Sequence, residues 1–211
     1  MTKPNSTELV LVVDRSGSMQ SIAKAMSDGL NELVNKQRQL QSECKVTLVD
    51  FDDRVETVYT ARALNEVTNY VLEPRGSTSL LDAVGLTMNA TGKRLSDLAE
   101  SDRPSQVLFV IITDGQENAS HLFSRKQVFN MIKHQRETYK WEFIFLGANQ
   151  DSIAEAESLG ISANNAVTFD ADANNSGRMM RGLANAVVNY RSGNVTSCDT
   201  IYGQNEYNNS K

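Results

Sequence analysis

Oxygen-bearing side chains stand directly after the two most apolar runs of this sequence. The first run ends in Asp14, and Ser16 and Ser18 follow at alternate positions, with Gly17 between them to relieve crowding of their hydroxyls. The second run ends in IITD, which places Asp114 directly after it. Carboxylates and hydroxyls suit a hard cation such as Mg²⁺ or Mn²⁺, whereas zinc favours nitrogen or sulfur and calcium takes more oxygens. The residues predict such a site if the fold brings both runs together.

A third segment, PRGSTSLLDA at residues 74–83, offers further hydroxyls before a predicted helix. It contains Ser77, Thr78 and Ser79, and Gly76 gives the backbone freedom to turn. Neutral hydroxyls leave the charge of a cation incompletely neutralised, so an ion held in this way keeps affinity for an anionic oxygen from outside. The combined donors therefore indicate a site that binds an external ligand through a cation.

The elements that must position these residues alternate between strands and helices, which is typical of an α/β fold with a mostly parallel sheet. Two continuous apolar runs, 9–13 and 107–112, predict central strands covered on both faces. Further strands are predicted at residues 45–51, 55–61, 141–147 and 166–169. Because the connection between the second and third strands is too short for a crossover, these two must form an antiparallel hairpin, with the third strand at an edge.

Helices are predicted between the strands from apolar residues three or four positions apart. Their apolar stripes lie within residues 22–34, 81–88, 128–132, 153–159 and 179–190. The expected fold is a doubly wound, Rossmann-like three-layer sandwich with a six-stranded sheet in the order 3-2-1-4-5-6. In this order the neighbouring strands 1 and 4 send their loops apart and open a crevice at their carboxyl ends, where ligands bind. Asp14 and Asp114 would then face the same crevice.

The combination of DRSGS, GST and ITDG resembles the metal-ion-dependent adhesion site (MIDAS) of von Willebrand factor type A domains, in order over residues 8 to about 190. The resemblance implies five metal-site residues, which are Asp14, Ser16, Ser18, Thr78 and Asp114. It also implies that an Asp or Glu carboxylate of a protein partner completes the coordination of Mg²⁺ or Mn²⁺. Intracellular relatives often serve assemblies driven by ATPases or act as scaffolds, so a partner of that kind is implied as well.

Loop side chains around the ion could set which partner fits, or they could be ordinary loop residues. The candidates are Arg75, Gln116, Glu117, Asn118 and His121.

Two other interpretations of the first motif stay open. Asp and Ser are common helix N-caps, so VVDRSGSM alone also fits an ordinary strand-to-helix turn. A Mg²⁺-dependent phosphoryl-transfer or hydrolytic enzyme would also carry an aspartate at a strand end, with Asp14 as the nucleophile. Against the enzyme, Ser16 stands where a second acidic residue would be needed, and the sequence has no GxxxxGK[ST] phosphate loop. We expect a non-enzymatic module and attribute Asp52 and Asp53 to an Asp-rich hairpin turn.

Composition limits the classes of partner and the compartment. A net charge of −5 without a basic stripe argues against binding to nucleic acid. Cys44 and Cys198 are too far apart in the chain for a short metal or redox pair, and free thiols suit a reducing compartment. The longest apolar run, 107–112, is too short to span a bilayer, and MTKPNSTE lacks the features of a signal peptide. We expect a cytoplasmic protein that is monomeric on its own.

The domain organisation is expected to be simple. The chain has the length of one domain, which we assign to residues 1–191. Residues 192–211 are poor in aliphatic side chains and rich in Asn, Ser and Gly, which predicts a polar tail that is flexible. Tyr202 and Tyr207 leave open the alternative that this segment packs on the domain as a surface strap.

Overall fold

The computed structural model describes residues 1–148 and 151–193, so the predicted tail at 192–211 lies almost wholly outside the described residues. One sheet has the strand order β3-β2-β1-β4-β5-β6. Its strands are β1 (Lys3–Asp14), β2 (Glu43–Phe51), β3 (Val55–Ala63), β4 (Pro104–Thr113), β5 (Glu142–Ala148) and β6 (Ala166–Phe169). All neighbours are parallel except β2 and β3, which form an antiparallel hairpin at the edge. The predicted α/β topology and strand order are confirmed.

Helices cover both faces of this sheet. The α-helices of the described residues are α1 (Ala23–Gln37), α2 (Leu80–Asp97), α3 (Arg125–Tyr139), α4 (Ser152–Ser158) and α5 (Ala173–Arg191). Helices α1 and α5 belong to one hydrophobic cluster, and α2, α3 and α4 belong to the other. Strand β1 contributes side chains to both clusters, because Leu9 and Leu11 belong to the first and Val10 and Val12 to the second. This double burial explains why the strand is continuously apolar.

Strand β1 begins earlier than its apolar run predicted, and its first half is polar. Glu8 is nevertheless almost completely buried, because its Oε1 accepts hydrogen bonds from Arg94 Nη2 at 2.6 Å and from Thr47 Oγ1 at 3.0 Å. Burial raises the pKa of Glu8, while Arg94 and Thr47 act in the opposite direction. A buried carboxylate with these partners is compatible with a strand interior, but a hydropathy pattern does not reveal the partners.

Among the described residues, no helix combines the length and the apolar character needed to cross a membrane.

The closest helix packing on the first face is between α1 and α5. A Cβ atom added at Gly29 of α1 would lie 2.5 Å from the Cβ of Met180 in α5. Real Cβ atoms do not approach this closely, so glycine is required at the contact. The contact fixes the distance between the two helices on the α1 side of the sheet.

We expect Gly29→Ala to lower the free energy of unfolding by about 1–3 kcal/mol, because overpacking outweighs the better helix propensity of alanine. Gly92→Ala in α2 is the matched control. There the added Cβ would meet only Gln135 Nε2 at 3.7 Å, so the variant should gain about 0.5–1 kcal/mol. Urea unfolding of both variants measures the difference. Equal effects at the two positions would contradict the packing argument.

Candidate metal-binding site

The predicted site residues follow the carboxyl ends of the neighbouring strands β1 and β4. Val13 of β1 is in register with Ile112 of β4, and Asp14 ends β1. Three loops meet at this end of the sheet: loop 1 (residues 15–22, before α1), loop 2 (residues 74–79, before α2) and loop 3 (residues 114–124, before α3). The fold therefore brings the three loops together at the edge of the sheet where the strand order predicted a crevice.

Asp14 is the most deeply buried member of the group, with a side chain inaccessible to solvent. Its Oδ1 accepts a hydrogen bond from the backbone N–H of Ser16 at 2.6 Å, and its Oδ2 accepts one from Thr113 Oγ1 at 2.6 Å. Burial raises the pKa of the Asp14 carboxyl to about 6, although these hydrogen bonds lower it, and the nearby Asp114 charge raises it further. A positive ion beside Asp14 would oppose the effect of burial.

The two serines connect the two carboxylates. Ser16 Oγ lies 3.0 Å from Ser18 Oγ, and Ser18 Oγ donates a hydrogen bond of 2.7 Å to Asp114 Oδ1. Burial raises the pKa of Asp114, while Ser18 and Ser16 lower it through hydrogen bonds. Asp14 and Ser16 are buried, whereas Ser18 is exposed, so the row of oxygen atoms leads from the interior to the surface. A molecule in solution can reach its outer end.

Thr78 joins this group from loop 2. A Cβ atom added at Gly115 would lie 3.0 Å from Thr78 Oγ1 and 3.8 Å from Ser18 Oγ, so both hydroxyls lie beside that glycine. The backbone N–H of Thr78 donates to the side-chain oxygen of Asn118 at 3.0 Å, which links loop 2 to loop 3. All five residues predicted from the sequence are thus brought to one place.

Two glycines of the site differ in their surroundings. Gly17 has no positive φ, and apart from its chain neighbours Ser16 and Ser18 a Cβ added there would meet the carbonyl oxygen of Gly76 at 3.6 Å, an ordinary contact. The expectation that Gly17 relieves crowding between the hydroxyls of Ser16 and Ser18 stays a prediction. Gly115, which had no assigned role, is more tightly surrounded, because a Cβ added there would lie 3.0 Å from Thr78 Oγ1. The TDG motif carried the signals for both Gly115 and Thr113, since these residues flank Asp114.

Two acidic side chains hold loop 3 in place. Glu117 was a candidate partner contact in the sequence, and Asp82 had no predicted role. Glu117 Oε1 accepts hydrogen bonds from the N–H groups of Ala119 and Ser120, and its Oε2 accepts from Leu81 N–H and Ser120 Oγ. Asp82 accepts from three consecutive N–H groups of loop 3. Glu117 and Asn118 thus support the loops through hydrogen bonds, although Asn118 is exposed. Arg75, Gln116 and His121 are exposed as well, and Arg75 pairs with Asp52 and Glu56.

The helix-cap interpretation does not describe this turn. Loop 1 contains a short 3₁₀ helix, Gly17–Ser21, ahead of α1, and the N-cap residue of α1 is Ile22. The side chain of Ser16 makes no capping hydrogen bond at the start of the 3₁₀ helix. The oxygen atoms of Asp14 and Ser16 therefore serve the crevice and not a helix terminus.

The chemistry of the donors fits a hard cation. Both carboxylates are close to hydroxyls, and among the described residues neither forms an ion pair with a basic side chain. The described part of the chain also holds no group of three or more His, Cys, Asp or Glu side chains arranged for a metal. A cation here would depend on two carboxylates together with the hydroxyls of Ser16, Ser18 and Thr78, and Mg²⁺ and Mn²⁺ accept such an all-oxygen set.

Solved structures share this architecture. Proximal thread matrix protein 1 from the mussel byssus, with a zinc-occupied MIDAS motif, aligns with a TM-score of 0.59 at 15% identity over 86% of this chain and 45% of its own. A von Willebrand factor type A protein from Catenulispora acidiphila gives 0.55 at 14% identity over 85% and 42%. The present chain therefore spans less than half of either protein, and at these identities the likeness establishes the fold alone.

Sequence comparison gives the family. No curated protein sequence matches the chain. The family profile described as von Willebrand factor type A domain matches residues 9–116, which is just over half of the 211 residues and includes loops 1 and 2, strand β4 and Asp114. On this match, and with the fold described above, the chain belongs to the von Willebrand factor type A domain family.

Proposed function

We propose that this domain is a non-enzymatic protein-binding module whose MIDAS binds an acidic residue of a partner through Mg²⁺ or Mn²⁺. The observation that carries the proposal is the pair of carboxylates at the ends of β1 and β4, joined by serine hydroxyls and lacking a basic counter-charge among the described residues. The residues that would hold the ion are Asp14, Ser16, Ser18, Thr78 and Asp114.

The exposed end of the site supports a role in recognition. Ser18 and the neighbouring Gln116 are exposed, while Asp14 closes the inner end of the site. When bound, the ion would supply a positively charged coordination position for a carboxylate oxygen, which none of the five side chains offers by itself. Gln116 and His121 of loop 3 are exposed and available to contact a partner, whereas the guanidinium of Arg75 is paired with Asp52 and Glu56.

The choice of Mg²⁺ or Mn²⁺ rests on the donors. The mussel protein carries zinc in its MIDAS motif, which supports a divalent ion at the corresponding place in this fold. Zinc in protein sites is usually held by cysteine and histidine, whereas oxygen donors alone favour harder ions. Neither histidine nor cysteine belongs to the present donor set.

The partner class and the location are part of the same proposal. A partner in an ATPase-driven or scaffold assembly is supported by the family resemblance. A cytoplasmic location is supported by the cysteine content, and Cys44 is buried as a free thiol.

We expect the metal-free protein to bind Mg²⁺ in isothermal titration calorimetry, and Asp14→Asn to bind it at least about tenfold more weakly, because the buried carboxylate is lost. Asp28→Asn is the matched control, since Asp28 is an exposed aspartate of α1 that pairs with Lys24 one turn earlier in the same helix. Equal Mg²⁺ affinity of the wild-type protein and Asp14→Asn, or no Mg²⁺ binding by either, would contradict the proposed metal site.

We expect Gly115→Ala to weaken Mg²⁺ binding by about tenfold, because the new methyl group displaces the hydroxyl of Thr78 and Mg²⁺ tolerates little distortion. Gly17→Ala is the control in the same site, where a methyl group has room. Calorimetry of both variants tests the contact. A larger loss for Gly17→Ala than for Gly115→Ala would contradict the assignment.

We expect the partner to be retained on the immobilised domain with Mg²⁺ and released by a chelator. Asp14→Asn should not retain it, and replacing one Asp or Glu of the identified partner by Asn or Gln should abolish retention. Affinity capture from native extract followed by mass spectrometry provides the measurement. Equal retention with chelator would contradict a metal-mediated contact, and metal-dependent turnover of phosphorylated compounds would favour the enzyme alternative.

A further inference from the structure

The hairpin between β2 and β3 contacts two of the three metal-site loops, and its residue Asp52 contacts both of them. Asp52 follows the last residue of β2, next to β1 in the sheet, and its side chain is inaccessible to solvent. Its Oδ2 accepts hydrogen bonds from Arg15 Nε at 2.8 Å and from Arg75 Nε at 2.7 Å. Arg15 stands between Asp14 and Ser16 in loop 1, and Arg75 belongs to loop 2 with Thr78. One carboxylate oxygen therefore joins both loops.

Backbone contacts surround this junction. The carbonyl oxygen of Asp52 accepts from both N–H and Oγ of Ser79, at 2.8 and 2.6 Å. The N–H of Arg75 donates to the carbonyl of Arg15 at 2.6 Å, and the N–H of Gly17 donates to the carbonyl of Gly76 at 3.2 Å. Loop 1 and loop 2 are thus hydrogen-bonded to each other, and Asp52 of the hairpin is hydrogen-bonded to both.

Glycine at position 76 permits this close approach. Its φ of +69° lies in the left-handed region, and an added Cβ would lie 3.2 Å from Cβ of Asp52 and 2.6 Å from Oδ1 of Asp53. Loop 2 therefore turns directly against the hairpin, two residues before Thr78.

The junction contains two arginines and three acids, Asp50, Asp52 and Glu56. Glu56 of β3 pairs with Arg15 Nη2 at 2.9 Å and with Arg75 Nη2 at 2.8 Å, and Asp50 Oδ2 lies 3.9 Å from Arg15 Nη1. Burial opposes ionisation of Asp52, but hydrogen bonds from Arg75, from the N–H of Arg54 and from Arg15 lower its pKa to about 2. Asp52 is therefore ionised at neutral pH and accepts hydrogen bonds from both arginines as a carboxylate.

We propose that Asp52 is a positioning residue of the metal site, which holds the serines of loop 1 in a fixed relation to Thr78 of loop 2. The inference rests on the proposed function, because the loops are taken to hold a cation. It assigns the Asp-rich hairpin a role beyond the simple turn that the sequence indicated.

An asparagine cannot replace this carboxylate. Oδ1 of Asp52 accepts from the N–H of Arg54 at 2.7 Å, while Oδ2 accepts from the two arginines. Asparagine has one acceptor oxygen, so its amide group would face a donor in either orientation. The change is nearly isosteric, and it should loosen the junction without leaving a cavity.

A matched control lies at the other end of β1. Glu8 is also a buried carboxylate paired with an arginine, and it stands six residues before Asp14, about 20 Å away along the strand. Glu8→Gln removes a comparable buried ion pair without touching the metal-site loops. If Asp52→Asn weakened amide protection or Mg²⁺ binding only by lowering global stability, Glu8→Gln would show the same loss.

The first measurement uses metal-free protein and amide hydrogen exchange. In Asp52→Asn the amides of Gly17, Arg75 and Ser79 should exchange at least about tenfold faster relative to amides of β4, while Glu8→Gln should leave this ratio unchanged. Unchanged ratios in Asp52→Asn would overturn the proposal. This readout does not depend on metal binding, so it decides the role of Asp52 even if the protein binds no Mg²⁺ and the proposed function fails.

The second measurement is cation affinity by calorimetry. Asp52→Asn should bind Mg²⁺ about 10–100-fold more weakly, as is typical when a residue that orients metal ligands is lost. Its affinity for Ca²⁺ should fall less, because Ca²⁺ tolerates irregular coordination and Mg²⁺ does not. Arg75→Gln, a change at a half-exposed residue, should give a smaller loss in the same direction. Wild-type affinity in Asp52→Asn, or an equal loss in Glu8→Gln, would overturn the proposal.

Discussion

Two carboxylates at the ends of neighbouring buried strands, which have no basic partner within the described part of the chain, are the constraint on which the arrangement of this domain depends. The register of β1 with β4 brings Asp14 and the residues after Thr113 to the same edge of the sheet. Because both strands are buried on both faces, their ends are poorly solvated, and burial raises the pKa of Asp14 and of Asp114. Hydroxyls and N–H groups of the loops offset part of this cost.

The loops around these carboxylates are fixed by other carboxylates. Asp52 connects loop 1 with loop 2, while Glu117 and Asp82 fasten loop 3 to the start of α2. Each of the three accepts several donors, so the backbone conformations of the loops are defined by the protein itself. A binding site of this kind orders few residues when its ligand arrives, which reduces the entropic cost of binding.

The sequence predicted the fold well because its signals were local. Continuous apolar runs marked the buried strands, and the short connection around Asp52 required a hairpin. The five candidate site residues came from the resemblance of three short motifs to the von Willebrand factor type A family, and the structure brings them together, although their role as metal ligands stays a prediction.

The sequence could not reveal side-chain contacts between residues that lie far apart in the chain. The polar start of β1 depends on Arg94, which lies 86 positions after Glu8. The tight space at Gly115 arises from Thr78, and the proposed role of Asp52 arises from two arginines in different loops. None of these contacts leaves a periodic or compositional trace, so only the folded arrangement reveals them.

The all-oxygen character of the crevice has a consequence for chemical resistance. Carboxylates and hydroxyls are not attacked by the mild oxidants that convert thiols and thioethers. Cys44 is the free thiol of the described residues, and burial raises its pKa to about 11, which leaves it protonated and unreactive. Recognition through such a crevice would respond to the supply of divalent ions and would be indifferent to the redox balance of its surroundings.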